Sequence, residues 1–156
     1  MDTLNIATWN VLNKGYENPE YYGESSLPFL KWENGRRERA FTYLQKFALD
    51  VTCLQEVSQS MLHELLNDET YREYYDFVWS ERTRTGNKTE DGEVILFQKQ
   101  RLTLVRQFTW RFKSGDHIFL ACLFEKKQSP QKSQFWCINT HVNWSTRETD
   151  LQDLER

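Results

Sequence analysis

Three polar residues stand at the ends of apolar, strand-like runs, and their types suit phosphate chemistry. Asn10 closes the first run, Glu56 follows the run 50–55, and His141 follows the run 135–140. An amide oxygen and a carboxylate suit Mg²⁺, which takes few protein ligands and keeps several waters. A histidine beside them suits a phosphate oxygen, as a hydrogen-bond donor or as a cation. If these strands share a sheet and end at one edge, we expect the three side chains to converge on one cleft.

Each of these residues also has an ordinary structural interpretation. Glu56 could be an exposed residue at a strand end, Asn10 a turn-former, and His141 a side chain tied to the backbone. A zinc site is disfavoured because no second His or Cys has ligand spacing. The sequence also contains no P-loop, no GxGxxG and no nucleophile elbow.

The elements that must position these residues alternate between strands and helices. An apolar stripe at helical spacing predicts a helix over residues 36–49, and Ser58 or Ser60 begins a second helix that runs through Leu66. Ser145 or Thr146 begins a last helix. Residues 113–116 are predicted as a hairpin turn, and residues 80–91 and 126–133 as polar loops. Strands are predicted at residues 4–11, 51–55, 74–79, 93–97, 102–112, 117–125 and 135–140.

The segment 16–35 is predicted as a long irregular loop that is rich in aromatic residues. Loops of this length inside a compact domain are uncommon and often functional, although this one could instead pack over an edge of the core. Arg36, Arg37 and Arg39 follow it in the first turn of the predicted helix, where the helix dipole disfavours cations. Glu33 and Glu38, or a bound phosphate, would compensate these charges.

Composition restricts the class of protein. A length of 156 residues predicts one domain, and an aromatic content of 15% favours a folded chain. The chain has 20 basic and 23 acidic residues, a net charge of -3. This balance argues against a protein that coats nucleic acid by simple electrostatics. It is compatible with an enzyme that meets phosphate through a bound cation.

The cysteines and the N-terminus predict a compartment. Cys53, Cys122 and Cys137 lie in apolar runs without a CxxC pair, which is typical of reduced thiols in a reducing compartment. The N-terminus shows no signal peptide, and no run is long enough for a membrane span. We therefore expect a soluble, cytoplasmic protein.

Four short motifs occur in order along the chain. They are Thr8-Trp9-Asn10-Val11, Leu54-Gln55-Glu56-Val57, Asp91-Gly92 before residues 94–97, and Asn139-Thr140-His141-Val142. Together they resemble the endonuclease/exonuclease/phosphatase superfamily, which includes nucleases, inositol-polyphosphate 5-phosphatases, neutral sphingomyelinases and poly(A) deadenylases. Residues 30–33 followed by Arg36-Arg37, together with Trp144, are most similar to the deadenylase, nocturnin and angel branch.

The resemblance implies a fold, a cofactor and a reaction. The family fold is a four-layer αββα sandwich, with two mostly antiparallel or mixed sheets face to face and helices on the outer faces. Glu56 would bind Mg²⁺, or Mn²⁺ as the alternative ion, Asn10 would belong to the metal site, and His141 would lie near the scissile phosphate. The family reaction is metal-assisted attack of water on phosphorus, and RNA or a nucleotide is the favoured substrate here.

The sequence departs from the family after His141. The later family motifs, an Asp-x-Asn pair and an Asp-His pair that orient or activate water, are not found. We therefore expect residues 1–156 to be one apparently truncated domain that corresponds to the N-terminal half of the family fold. It would be either part of a hydrolase or a non-catalytic fragment that binds nucleic acid or protein. We also expect the second sheet to come mostly from a missing C-terminal half or a partner chain, leaving residues 94–97 and 135–138 exposed.

Overall fold

Strands dominate the computed structural model, which describes residues 3–82, 90–112, 117–128 and 133–141. The predicted strands are all confirmed, with shifted ends, whereas the predicted turn at 113–116 and the helix after Ser145 or Thr146 lie outside the described residues. The described strands are β1 Ile6–Asn10, β2 Val51–Val57, β3 Tyr75–Glu81, β4 Gly92–Gln98, β5 Leu102–Arg111, β6 Ile118–Lys126 and β7 Gln134–Thr140. The described α-helices are α1 Pro19–Tyr22, α2 Leu27–Leu30, α3 Arg37–Phe47, α4 Gln59–Asn67 and α5 Glu69–Tyr74.

These strands form two sheets that pack face to face. The four-stranded sheet has the order β1-β2-β4-β3, with β1 parallel to β2 and the other neighbours antiparallel. The three-stranded sheet has the order β5-β6-β7 and is antiparallel throughout. Apolar residues of α3 and α4, including Leu44 and Leu65, pack with Leu54 on the outer face of the four-stranded sheet. The predicted α/β sandwich with mixed sheets and outer helices is therefore confirmed.

The apolar core between the sheets explains why they stay together. Phe97 of β4 and Phe124 of β6 have ring centroids 4.9 Å apart, and Phe124 is completely buried. The Sγ atoms of Cys53 on β2 and Cys137 on β7 are 3.5 Å apart. All three cysteines are buried free thiols, as their apolar settings predicted.

This chain builds strands of both sheets of the sandwich, and the expectation that residues 94–97 would be exposed is wrong. Val94 and Ile95 are completely buried, because helices cover one side of β4 and the three-stranded sheet covers the other. The outer face of the three-stranded sheet differs. Trp136 and Ile138 on that face of β7 are exposed by 46% and 59%, and no second helical layer is seen in the described part of the chain.

Of the helices on the other side, α4 begins where the sequence provides a signal. The Ser58 hydroxyl accepts a hydrogen bond from the Met61 N–H at 3.2 Å and so caps α4, as predicted. Helix α3 ends at Ala48 in the left-handed conformation (φ 42°). The short helix α5 was not predicted, because six residues are too few for a helical period to stand out.

The segment 16–35 is a succession of short helical turns rather than an irregular loop. The Asn18 side chain caps α1 by accepting from the Glu20 N–H at 2.9 Å, and Pro19 occupies its first position. Gly23, at φ 76°, ends that helix. Short 3₁₀ turns at Lys14–Tyr16 and Glu24–Ser26 and a π-type turn at Trp32–Arg36 complete the segment. Local caps explain the difference from the prediction.

The arginines that follow this segment are neutralised within the protein. The Arg36 guanidinium pairs with the Glu17 carboxylate and donates to the Leu12 carbonyl at 2.8 Å. Arg37 pairs with Glu38 at 2.7 Å, as one of the two interpretations predicted. No bound phosphate is therefore needed to explain Arg36 or Arg37.

None of the helices in the described ranges has the length and apolar character that crossing a membrane requires.

Candidate functional site

Glu56 owes its orientation to a bulge in β2. Leu54 pairs with Val94 and Val57 with Gly92, so β2 has one residue more than β4 in this interval. Glu56 has a φ of 60°, a left-handed conformation that is uncommon for a residue other than glycine. Bulges turn side chains out of the regular alternation and occur often beside active sites. Glu56 therefore lies inside a strand that continues to Val57, and not beyond the strand end as predicted.

Two residues of the β1 end hold the Glu56 carboxylate. The Asn10 amide donates from Nδ2 to Glu56 Oε1 at 2.9 Å, and the Asn13 backbone N–H donates to Oε2 at 3.3 Å. The Asn10 oxygen accepts from the Leu12 N–H at 2.9 Å, and Leu12 also has a positive φ, 55°. Backbone strain of this kind at two adjoining places is typical of functional sites.

His141, directly after β7, completes the group that the sequence predicted to converge. Its Nδ1 lies 3.6 Å from Glu56 Oε1 and 3.5 Å from Arg82 Nη1. Burial lowers the pKa of His141, and the Arg82 charge lowers it further, so the ring is neutral at pH 7. The His141 carbonyl accepts from His117 Nδ1 at 2.9 Å. Asn10, Glu56 and His141 thus lie together, and the histidine is neutral rather than cationic.

The guanidinium beside His141 belongs to a buried ion pair that sequence reasoning missed. Arg82 Nε and Nη2 donate to the two Asp91 oxygens, each at 2.7 Å, and both side chains are nearly inaccessible. Although burial disfavours its charge, the hydrogen bonds to Asp91 raise the pKa of Arg82. Asp91 precedes Gly92 in one of the four family motifs, whereas Arg82 lies in the segment 80–91 that the sequence predicts as a polar loop. The only feature of the sequence that could have indicated a role for Arg82 is its positive charge near the start of that loop.

A buried carboxyl group lies close to this ion pair. Glu93 on β4 is completely buried, and neither of its oxygens has a hydrogen-bond partner among the described residues. Burial raises the pKa of Glu93 to about 8, although the Arg82 charge opposes the shift. Glu93 is therefore largely protonated at neutral pH.

A polar contact between the two sheets sets the distance between Glu56 and His141. Asn139 of β7 donates from Nδ2 to the Leu54 carbonyl at 2.8 Å and to the Val94 carbonyl at 2.9 Å. Its oxygen accepts from Gln55 Nε2 at 2.6 Å. Every polar atom of this buried amide is therefore used to join β7 to the strands beside the bulge.

A cavity of about 570 Å³ opens onto the group. This volume is within the range of about 300–1,000 Å³ for small-ligand sites. Some of its residues come from strand ends, and the others belong to the segment 12–22, which overlaps the segment 16–35 that was predicted either as a functional loop or as a cover for an edge of the core. The cavity is lined by Leu12, Gly15, Tyr16, Asn18, Tyr21, Tyr22, Glu56, Arg82, His117 and His141.

The side chains at the cavity could bind a magnesium ion, which keeps water and substrate ligands, better than a metal ion whose ligands all come from the protein. Each Glu56 oxygen accepts one hydrogen bond and keeps a lone pair for a cation. Within the described ranges, no three His, Cys, Asp or Glu side chains are grouped closely enough to hold a metal by themselves. One carboxylate with open space beside it matches Mg²⁺, which is bound by one or two carboxylates, substrate phosphate and water.

Curated relatives cover almost the whole chain. It is 24% identical to carbon catabolite repressor protein 4 homolog 1 of Arabidopsis thaliana over 92% of its length and 29% of that protein. It is 21% identical to the CCR4-Not complex 3'-5'-exoribonuclease subunit Ccr4 of Neurospora crassa, over 97% of this chain and 22% of that one. The chain thus spans less than a third of the length of these relatives. No family model matches it.

Solved structures extend the similarity to the fold. The 2',3'-cyclic phosphatase ANGEL2, in complex with adenosine-2',3'-vanadate, matches with a TM-score of 0.75 and 22% identity, over 97% of this chain and 45% of that chain. An endonuclease/exonuclease/phosphatase from Bacteroides vulgatus matches with a TM-score of 0.72 and 18% identity, over 96% of this chain and 56% of that chain. The chain therefore has the fold of the endonuclease/exonuclease/phosphatase proteins and resembles their Ccr4 and angel members, as its four motifs predicted.

Proposed function

We propose that this chain carries the metal-binding and phosphate-binding part of a Mg²⁺-dependent hydrolase of phosphate esters, with RNA or a nucleotide as substrate. The observation that carries the proposal is Glu56, which the bulge turns to meet Asn10 and a neutral His141, with Glu56 and His141 lining one cavity. The printed names of the relatives, an exoribonuclease and a cyclic phosphatase, support this class of substrate. Mn²⁺ is the alternative ion.

In this proposal each side chain has a separate role. Glu56 binds the ion, and Asn10 and Asn13 keep the carboxylate in place through their hydrogen bonds. When bound, the ion supplies positive charge that polarises the phosphoryl oxygen. The neutral His141 accepts from Arg82 at Nδ1, so its Nε2 carries the hydrogen and donates to a phosphate oxygen. His117 fixes the backbone of His141.

The Glu56→Gln variant tests this proposal, because it keeps the shape of the side chain and removes the charge that a hard cation needs. We expect hydrolysis of a short oligoadenylate, measured across a Mg²⁺ titration, to be lost while the melting temperature changes little. Glu73→Gln, at an exposed position of α5, is the matched control and should keep full activity. Activity of Glu56→Gln equal to that of the wild type would overturn the proposal.

A second candidate function has an observation of its own. Glu56 is the only carboxylate among the described residues that line the cavity, so none of them is a second acid that could position water. This favours a module that binds phosphate or nucleic acid without hydrolysing it, or a hydrolase completed by another polypeptide segment or a partner chain. Mg²⁺ binding that depends on Glu56, with no turnover by the 156-residue chain, would support this candidate.

A further inference from the structure

Two chemical classes of side chain can be distinguished among the residues that line the cavity. Glu56, Arg82, His117 and His141 come from strand ends and carry the charge and the hydrogen bonds that a phosphate ester needs. The aromatic residues Tyr16, Tyr21 and Tyr22 all come from one short segment of the chain. The phosphate chemistry uses none of these tyrosines, so their presence at the same cavity needs a separate explanation.

Two of the tyrosines present their rings to solvent. Tyr21 is exposed by 82% and Tyr22 by 43%, although both belong to the lining of the cavity. A tyrosine ring is a large rigid surface with few rotatable bonds, so it can cover a ligand at a small cost in conformational entropy. Exposed aromatic rings at the same cavity as Glu56 and His141 are therefore available to contact the part of a ligand that is not phosphate.

The backbone that carries Tyr21 and Tyr22 is held in place on both sides. Asn18 caps α1 in front of them, and the Gly23 N–H donates to the Pro19 carbonyl at 2.7 Å behind them. Glu17 accepts from the Trp32 N–H at 2.8 Å and pairs with Arg36, which ties the segment to the helical layer. A surface fixed before binding loses little freedom on binding, as a recognition element requires.

We propose that Tyr21 and Tyr22 form a stacking surface for the nucleobase of the phosphate ester, so that the site selects nucleoside phosphates. This inference rests on the proposed function, because it assigns the phosphate of the same ligand to the group around Glu56. Bases stack on aromatic side chains without regard to sequence, since every base has a flat π-face. An inositol ring has no flat π-face to stack, so it would gain nothing from these rings.

Three ligands distinguish the contribution of the base to binding from that of the phosphate. Adenosine 5'-monophosphate has both, ribose 5-phosphate lacks the base, and adenosine lacks the phosphate. We expect the full chain in Mg²⁺ to bind adenosine 5'-monophosphate roughly tenfold to a hundredfold more tightly than ribose 5-phosphate, measured by titration calorimetry. The double variant Tyr21→Ala with Tyr22→Ala should bind the two phosphates equally. The same positions changed to Phe should keep the preference, because the ring remains.

Tyr43→Ala is the matched control, since Tyr43 is a half-exposed tyrosine on α3 that does not line this cavity. It should keep the preference for the base. Equal binding of the two phosphates by the wild type, or a preference that survives in the double Ala variant, would overturn the stacking surface.

The same titrations distinguish failure of this inference from failure of the proposed function. Glu56→Gln should weaken both phosphates and leave adenosine binding unchanged. If adenosine binds through the tyrosines but neither phosphate depends on Glu56, the stacking surface stands and the metal site fails. If both phosphates depend on Glu56 but adenosine does not bind, the metal site stands and the stacking surface fails. If nothing binds, both are overturned.

Discussion

Strands β2 and β7, which belong to different sheets, contact each other in two regions. The regions are two residues apart along each strand, and their contacts are chemically different. At Cys53 and Cys137 the strands touch through buried thiols within the apolar core. At Gln55 and Asn139 they meet through an amide hydrogen bond of 2.6 Å. Apolar contacts are non-directional, so the first region stabilises the sandwich without fixing its alignment. Hydrogen bonds are directional, so the second region sets where Glu56 and His141 lie.

The largest effect on stability should come from the apolar region. Phe124 is completely buried between the sheets, and Phe→Ala changes in cores typically destabilise by about 3–5 kcal/mol. We expect Phe124→Ala to lower the free energy of unfolding by about 4 kcal/mol, measured by urea denaturation. Phe108→Ala, at a half-exposed position on the outer face of the same sheet, should cost far less. Equal losses in the two variants would contradict the difference between the regions.

Glu93, the buried acid on β4 near the Arg82–Asp91 ion pair, should make the stability of the protein depend on pH. Folding raises the pKa of this carboxyl group to about 8, so the folded state disfavours the charged form. The wild type should therefore lose stability as pH rises from about 4.5 to about 8, since the unfolded chain releases the proton first. Glu93→Gln lacks this loss and should be more stable than the wild type by on the order of 3 kcal/mol at about pH 9.

Thermal unfolding at several pH values measures this difference, which should shrink towards zero near pH 4. Glu81→Gln, an exposed position on the neighbouring strand β3, is the control and should show no comparable rise with pH. A constant difference between Glu93→Gln and the wild type across the whole range would show that the Glu93 charge is not the cause.

The polar contact should give the smallest change in stability and a clear change in the site. Asn139→Ala leaves the Leu54 and Val94 carbonyls without their donor, which we expect to cost about 2 kcal/mol. Because β7 is then less firmly placed, His141 should move away from Arg82, and its pKa should rise towards the ordinary value. Titration of the histidine signals by NMR measures this. Gln134→Ala, exposed on the same strand, should leave that pKa unchanged; an unchanged value in Asn139→Ala would show that Asn139 does not position His141.

The difference between the two regions also explains what could be predicted from the sequence. Runs of apolar residues identified every described strand, and the polar residues at their ends identified Asn10, Glu56 and His141. The bulge at Glu56 was missed because one extra residue in a strand leaves no signal in composition. Arg82 was missed because its partner is set by strand pairing and not by local pattern. The burial of residues 94–97 was misjudged because an apolar run does not show which surface will cover it.

The left-handed backbone at Glu56 implies a conflict between two selective pressures. Glycine adopts this conformation without the penalty that a side chain brings, so selection for a more stable fold alone would favour glycine at this position. Selection for phosphate chemistry would keep the acid and accept a weaker strand. A lineage without the proposed reaction would be free to replace Glu56 by glycine, and its protein would become more stable while its cavity lost the only acidic side chain that the described lining contains.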